Sequence, residues 1–277
     1  MTVAVLGAAG ILGRSVVKEL GEKARPLTRF ECDVSSAEQV KEAIEGATLV
    51  VNCAAWTDVN GAETNEDAAF RANAVGAENA AKAARARGIP LVHVSTGFVF
   101  DGTQERPYDE FDPPNPTSVY ARSKWAGEVL ATRAWDRVFV VRLQYLYGTG
   151  GRNFLSSLRR RMLAKEPLKL DASKRAQPTW SGAAARQILA LAETDAYGVY
   201  HATCAGQTTW AEFGRAMATA LGVVPYWDEV TADAVGHTAS RPKNDLLSRR
   251  MLGLRGLDRM PDWSAALLEY LEEAKEA

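Results

Sequence analysis

Cysteine is scarce in this chain, with three in 277 residues. Cys32, Cys53 and Cys204 are far apart and form no Cys-x-x-Cys, so neither a disulfide framework nor a cysteine-bound zinc is expected. Histidine is equally scarce. His93, His201 and His237 show no metal-ligand spacing, and no metal site is expected. His93 alternates with Val92 and Val94 in an apolar strand and reads as a core or interface residue. No charge of one sign dominates either: 33 Lys and Arg face 34 Asp and Glu, for a net charge of -1. That balance lacks the basic excess of a duplex-binding surface, and Arg159-Arg160-Arg161, the densest basic run, reads as a solvated helix face or a set of salt-bridge partners. No apolar run approaches the ~18 residues that span a bilayer. The N-terminus enters an apolar strand without the basic segment, apolar run and cleavage site of a signal peptide. These absences predict a soluble, unexported, cytoplasmic protein that binds neither nucleic acid nor membrane.

What is present is an ordinary globular balance, 47% hydrophobic and 24% charged, in a chain long for one compact domain and short for two full ones. The first half alternates apolar runs with helical patterns: Val3-Leu6, Pro26-Leu27, Leu49-Val51, Leu91-Val94 and Val138-Val141 as strands, with helices over Ile11-Leu20, Ala37-Ile44, Ala68-Arg87 and Ser118-Thr132 between them. Continuous apolar strands separated by helices predict a doubly wound α/β fold, its parallel sheet covered on both faces. After residue 150 the pattern loosens into helices near Asn153-Leu163, Ala183-Leu191, Trp210-Leu221 and Trp263-Glu273, with runs Leu168-Leu170 and Gly198-His201. The division expected is residues 1–150 as a dinucleotide-binding domain, rejoined by 177–205, and residues 151–277 as a smaller substrate-binding lobe.

Gly7-Ala-Ala-Gly10-Ile11-Leu12-Gly13 follows the first strand and opens the first helix. In that context glycines permit a tight turn, close approach to a pyrophosphate, and helix N–H groups aimed at it; the alternative is a turn that merely packs closely. The second strand ends near Leu27-Thr28-Arg29. Arg29 favours NADPH, whose extra phosphate an arginine accommodates, while Asp33 would bind ribose hydroxyls and favour NADH if the strand ran longer. Tyr120-Ala-Arg-Ser-Lys124 places a phenol and an ammonium one helical turn apart, so that the cation can lower the phenol's pKa. Alone the pattern is weak, expected about 0.3 times by chance in this composition. Thr96, at the carboxyl end of the Leu91-Val94 run, supplies a hydroxyl where doubly wound folds bind ligands. A hydroxyl, a phenol and a lysine beside a nicotinamide suffice to reduce a carbonyl.

The chain resembles the extended short-chain dehydrogenase/reductases, and more narrowly the dTDP-4-dehydrorhamnose reductase family. The match is carried by Asn52-Cys-Ala-Ala-Trp-Thr-Asp-Val-Asn60-Gly-Ala-Glu63, Ser95-Thr-Gly-Phe-Val-Phe-Asp-Gly102, Tyr120 to Glu128, Pro178-Thr179 and Arg241-Pro242. The glycine loop and Tyr-x-x-x-Lys specify the superfamily, the Val-Phe-Asp-Gly segment the narrower family. The resemblance implies a Rossmann-type fold and NADPH- or NADH-dependent reduction of the 4-keto group of dTDP-4-dehydro-6-deoxy-L-mannose. It implies that Tyr120 donates the proton, that Thr96 holds the carbonyl oxygen, and that Lys124 binds the nicotinamide ribose. Gly7, Gly10, Ile11, Leu12, Gly13, Arg29, Asp33, Val34, Cys53, Ala54 and Ala55 would surround the cofactor, with Thr96, Gly97, Tyr145, Asn153 and Arg241 at the sugar nucleotide. Arg241 is equally readable as a salt bridge between lobes, and Glu63, Asp101 and Glu128 as turn, cap or helix-surface residues.

The chain departs from the family's pattern in three places. Gly97 stands where the family has aspartate, Leu143-Gln144-Tyr145 replaces Thr-Ser-Trp, and Asp245 replaces serine after Arg241-Pro242. These departures leave open a reductase or epimerase of another nucleotide sugar. A non-catalytic NADP-binding relative, like the regulatory subunit of methionine adenosyltransferase, is a further alternative. The resemblance also admits a homodimer, which no residue specifically signals.

Overall fold

Alternate residues of the central strands enter two different cores, as a sheet covered on both faces requires. Val3, Val5, Leu49, Val51, Val92, Phe139 and Val141 face one core, and Ala4, Leu6, Val50, Leu91, Val138 and Val140 face the other. The structure, a computed structural model, describes residues 2–151, 153–224, 226–231 and 239–276. His237 therefore lies outside the described residues.

In chain order the strands are β1 (Val3–Leu6), β2 (Ala24–Leu27), β3 (Leu49–Asn52), β4 (Leu91–Thr96), β5 (Val138–Leu143), β6 (Leu146–Tyr147), β7 (Leu168–Asp171), β8 (Thr179–Trp180), β9 (Gly198–His201) and β10 (Trp227–Val230). Six of them form one sheet in the order β2-β1-β3-β4-β5-β9, and every pairing in it is parallel. The chain leaves β1 for one neighbour and returns to the other, so the switch point lies between β1 and β3, where such sheets open a crevice at their carboxyl ends. The predicted Rossmann-type fold is the one observed. Two small parallel pairs, β6 with β8 and β7 with β10, stand outside the main sheet.

The helices are α1 (Ile11–Leu20), α2 (Ala37–Ala43), α3 (Val59–Ala62), α4 (Glu66–Phe70), α5 (Gly76–Arg87), α6 (Val119–Ala134), α7 (Phe154–Leu163), α8 (Ser181–Ala192), α9 (Trp210–Leu221), α10 (Arg250–Leu254) and α11 (Trp263–Glu276). Helices α2, α5 and α6 cover one face, presenting Val40, an alanine stripe from Ala77 to Ala84, and Ala131. Helices α1, α7, α8, α9 and α11 cover the other, with Leu12, Leu158, Ile188, Phe213 and Leu267 among the buried contacts. Gly88 ends α5 in the left-handed conformation, as expected from Gly88-Ile89-Pro90.

The helical pattern read over Ala68–Arg87 is interrupted by a π turn over Arg71–Val75. A π turn carries extra backbone into a helix and re-aims its side chains; here Asn73 is buried and fully engaged. Its Oδ1 accepts from Trp56 N at 2.8 Å, and its Nδ2 donates to Trp56 O at 3.2 Å and to Ser123 Oγ at 2.9 Å. The short β10, α3 and α10 went unread, because four or five residues carry too little periodicity, and β10 has two exposed acids, Asp228 and Glu229.

Candidate functional site

A cleft of about 990 Å³ opens at the carboxyl ends of β1, β3, β4 and β5. Its floor is backbone. Gly7 has φ +74°, and a Cβ there would lie 2.6 Å from both Ala54 Cα and Ala54 N. A Cβ on Gly13 would lie 2.3 Å from Gly7 O. The glycines are therefore required by contact within the loop and with the chain leaving β3. Gly10 caps α1 with no side-chain hydrogen bond, and no acidic residue occupies the first turn. The orphan N–H groups of this ten-residue helix face the cleft with Ile11 and Leu12, the arrangement that receives an anion.

Arg29, Asp33 and Val34 line the cleft beyond β2, and Cys53, Ala54 and Ala55 line it after β3. Asp33 Oδ1 accepts from Ser35 N at 3.0 Å and Ser35 Oγ at 2.9 Å, and these bonds lower its pKa. Burial pushes the Cys53 thiol up to about 12, so it is no thiolate at neutral pH.

Helix α6 delivers Tyr120 and Lys124. Ser118 caps it, its hydroxyl accepting from Ala121 N at 3.2 Å, and Glu63 Oε1 accepts from Val119 N at 2.9 Å. Gly127 lets the helix approach the π turn; a Cβ there would lie 2.2 Å from Asn73 O. Glu128 fixes the far side through a buried ion pair with Arg142 at 2.7 Å and a hydrogen bond from the Ser95 hydroxyl. Glu63 is thus a cap and Glu128 a link between α6 and the sheet. Asp101 Oδ1 accepts from Tyr108 OH at 2.8 Å and its Oδ2 from Asn115 at 2.9 Å, which makes it a turn residue.

Thr96, Tyr120 and Lys124 all face the cleft. Phe98 N donates to Thr96 Oγ1 at 3.2 Å, leaving the threonine proton to point elsewhere, and the Thr96 hydroxyl lowers the Tyr120 pKa by hydrogen bonding. Lys124 Nζ donates to Val94 O at 2.6 Å. The expectation that Lys124 depresses the Tyr120 pKa needs correction. Burial raises it, opposed by the Thr96 hydroxyl, and the ammonium is turned instead to a strand carbonyl. Burial also lowers Lys124 itself to about 8, with Glu128 opposing.

Tyr145 lines the same cleft as Tyr120, and both rings touch Phe98. It is one of two non-glycine residues with positive φ among those described, at +45°, a conformation that costs free energy and persists where surroundings over-determine it. Its OH donates to Asp245 Oδ2 at 2.6 Å, and its ring meets Phe98 and Trp210 edge-on at 6.4 and 5.2 Å.

Three predicted substrate residues lie elsewhere. Gly97 is buried but does not line the cleft; its missing Cβ would meet Leu247 Cδ1 at 3.1 Å and Gln144 Nε2 at 3.4 Å. Asn153 is the N-cap of α7 in a capping box with Ser156, and its Nδ2 donates to Gly148 O at 2.9 Å, so its amide is committed to the helix end. Arg241 is exposed and outside the cleft lining, though close enough for its charge to lower the Tyr145 pKa.

The sequence reading missed Trp56, Phe98, Arg71 and Gln144 as cleft residues. Trp56 and Phe98 sit inside quoted motifs, and Gln144 was visible as a departure; Arg71 sits on the π turn, which no local signal announces. Gln144 is buried with both amide atoms lacking a hydrogen-bond partner. His93 and His201 are buried, His93 well below its usual pKa and His201 down to about 3, mainly through burial. Among the described residues no group of His, Cys, Asp and Glu is placed to hold a metal, and no helix is long and apolar enough to cross a membrane.

The family model described as RmlD substrate binding domain matches residues 1–276. The chain is 36% identical over 272 residues to dTDP-4-keto-6-deoxy-D-glucose reductase of Streptomyces niveus, spanning 96% of this chain and 94% of that one. It is 34% identical over 277 residues to dTDP-4-dehydrorhamnose reductase of Streptomyces griseus, spanning 96% and 91%. Among solved structures it is similar to dTDP-4-dehydrorhamnose reductase from Bacillus anthracis in complex with NADP. The TM-score there is 0.94 at 32% identity, covering 99% of this chain and 100% of that one.

Proposed function

The chain belongs to the RmlD substrate binding domain family, and from that premise we propose that it is an NAD(P)-dependent oxidoreductase that reduces the 4-keto group of a dTDP-linked deoxy sugar. The proposed substrate is dTDP-4-dehydro-L-rhamnose, giving dTDP-L-rhamnose. The observation that carries this reading is the convergence of Thr96, Tyr120 and Lys124 on one cleft with the Gly7–Gly13 loop.

The residues fit a dinucleotide: Gly7 and Gly13 leave no room for a Cβ, and the α1 N-terminus is uncapped. Gly7, Gly10, Ile11, Leu12 and Gly13 would hold the pyrophosphate, Val34, Cys53, Ala54 and Ala55 the adenosine side, and Arg29 the phosphate that distinguishes NADPH, with NADH accepted less well. A reduced nicotinamide bound there supplies the hydride. Tyr120 gives its phenolic proton to the sugar oxygen as the carbon accepts that hydride. Its raised pKa keeps it protonated at neutral pH, the state a proton donor needs. Thr96, its oxygen held by Phe98 N, directs its own proton to the reacting oxygen or to the phenolate left behind. Lys124, its ammonium anchored on Val94 O, would hold the nicotinamide ribose. Tyr145 walls the sugar side of the cleft. With the trio complete, a purely structural use of a bound dinucleotide has no observation in its favour.

The test is oxidation of NADPH, followed at the nicotinamide absorbance, with enzymatically prepared dTDP-4-dehydro-L-rhamnose. Tyr120→Phe should lose about 10²-fold or more in kcat while still binding NADP⁺. Wild-type turnover no faster than this variant would overturn the reading.

A further inference from the structure

Tyr145, Lys174 and Asp245 are distant in sequence and meet at one carboxylate oxygen. Asp245 Oδ2 accepts from Tyr145 OH at 2.6 Å and from Lys174 Nζ at 2.8 Å. Lys174 also donates to Pro242 O at 2.7 Å and lies 5.8 Å from the centre of the Tyr145 ring. The Asp245 side chain is wholly buried, and its Oδ1 has no hydrogen-bond partner. A buried carboxylate is costly unless paired, so the lysine and the phenol are held to it as firmly as it is to them.

The surrounding segment is itself tied down. Asn244 Nδ2 donates to Gln104 O at 2.7 Å, and Leu247 N donates to Gln177 Oε1 at 2.7 Å. Asp245 is therefore a fixed point, and the strained Tyr145 is the member being held. The ring so held stands edge-on to Phe98, which also meets Tyr120 edge-on at 6.3 Å. Phe98 thus touches both the proton donor and the clamped ring, and all three line the cleft.

Building on the reductase reading, we propose that Asp245 and Lys174 are positioning residues that clamp Tyr145 as the aromatic wall for the nucleotide-linked sugar. They govern how well the sugar is held, through Tyr145, and take no part in proton transfer. The clamp joins three departures or unread positions, Tyr145, Lys174 and Asp245, into one device beside the proposed proton donor Tyr120.

Tyr145→Phe, Asp245→Asn and the double variant test it, each measured for NADPH oxidation with dTDP-4-dehydro-L-rhamnose, NADP⁺ affinity and thermal melting. Tyr145→Phe removes one hydroxyl and keeps the ring, so it reports even where Asp245→Asn folds poorly. KM for the sugar should rise about tenfold, the loss of one buried charge-assisted hydrogen bond, by more than kcat falls. NADP⁺ affinity should stay within about twofold. The double variant should be no worse than the worse single one. An unchanged KM in Tyr145→Phe, or a fall in kcat alone like that of Tyr120→Phe, overturns the clamp. Should the wild type turn over no dTDP-keto sugar, the reductase reading fails by itself. Melting then decides: shifts of the two single variants that add overturn the clamp, and shifts that do not add sustain it.

Discussion

The glycine-loop side of the cleft is backbone packed on backbone, Gly7 against Ala54 and Gly13 against Gly7, whereas another wall is side chains, Phe98 and Tyr145, backed by Trp210, Lys174 and Asp245 from separate stretches. The first side has no slack: any Cβ meets main chain, and main chain cannot rotate away. The second is adjustable, since a hydroxyl, an amide or a carboxylate can be exchanged without moving a strand. The wall is also where this chain departs from the family pattern, at Gln144, Tyr145 and Asp245. A rigid floor with an adjustable wall is a physical route to one reaction on different sugars.

Breaking the floor should have the largest effect. Gly7→Ala places a Cβ 2.6 Å from Ala54 backbone atoms at φ +74°. It should weaken NADP⁺ binding by roughly 100-fold and destabilise the fold by about 1–3 kcal/mol, read by calorimetric titration and melting. An affinity within threefold of wild type would show that the floor has the give assigned here only to the wall.

The middle-sized effect separates activity from stability at a single residue between floor and wall, Lys124 on α6. Burial pushes the Lys124 ammonium down from its usual 10.5 to about 8, against the pull of Glu128. If the charged ammonium is what holds the nicotinamide ribose, kcat/KM should fall about tenfold per pH unit above 8. Stability should move oppositely. Between about 8 and 10.5 the unfolded chain binds more protons at this lysine than the folded one, so the lysine's contribution to folding improves as pH rises. The melting difference between wild type and Lys124→Met across that window checks the sign, and a rate profile flat to pH 9.5 would remove the ammonium from the mechanism.

The smallest effect belongs to the cofactor edge of the floor, where a side chain rather than backbone does the work. Arg29 is exposed at the cleft rim, and an exposed charge acts through a high dielectric. Arg29→Ala should cut the preference for NADPH over NADH by roughly five- to tenfold, measured as the ratio of kcat/KM values. An unchanged ratio would transfer the phosphate contact to another group, with Arg71, also facing the cleft, the next to test.

Legibility followed the same division. Gly7, Gly10, Gly13, Thr96, Tyr120 and Lys124 were readable because each sits at a fixed offset from a strand end or along one helix, and local periodicity carries that information. The α/β alternation likewise gave the sheet, since a strand buried on both faces must be continuously apolar. Asn153 was misplaced because an asparagine before a helix is as fit to cap as to bind. Arg241 lies outside the cleft lining, while its neighbour Pro242 packs at Gly102, where a Cβ would lie 2.7 Å from Pro242 Cβ. Two motifs read separately, at 99–102 and 241–242, thus prove to be neighbours.

By itself the sequence determined the parallel sheet and marked the Gly7–Gly13 loop, Thr96, Tyr120 and Lys124 as residues of one cleft, because these depend on spacings of a few residues. Only the tertiary structure decided the electrostatics of Tyr120 and the composition of the wall. The first depends on burial and on Lys124 turning to Val94 O. The second depends on positions 145, 174 and 245 meeting at one carboxylate, a contact that no local pattern encodes and that exists only once the chain has closed on itself.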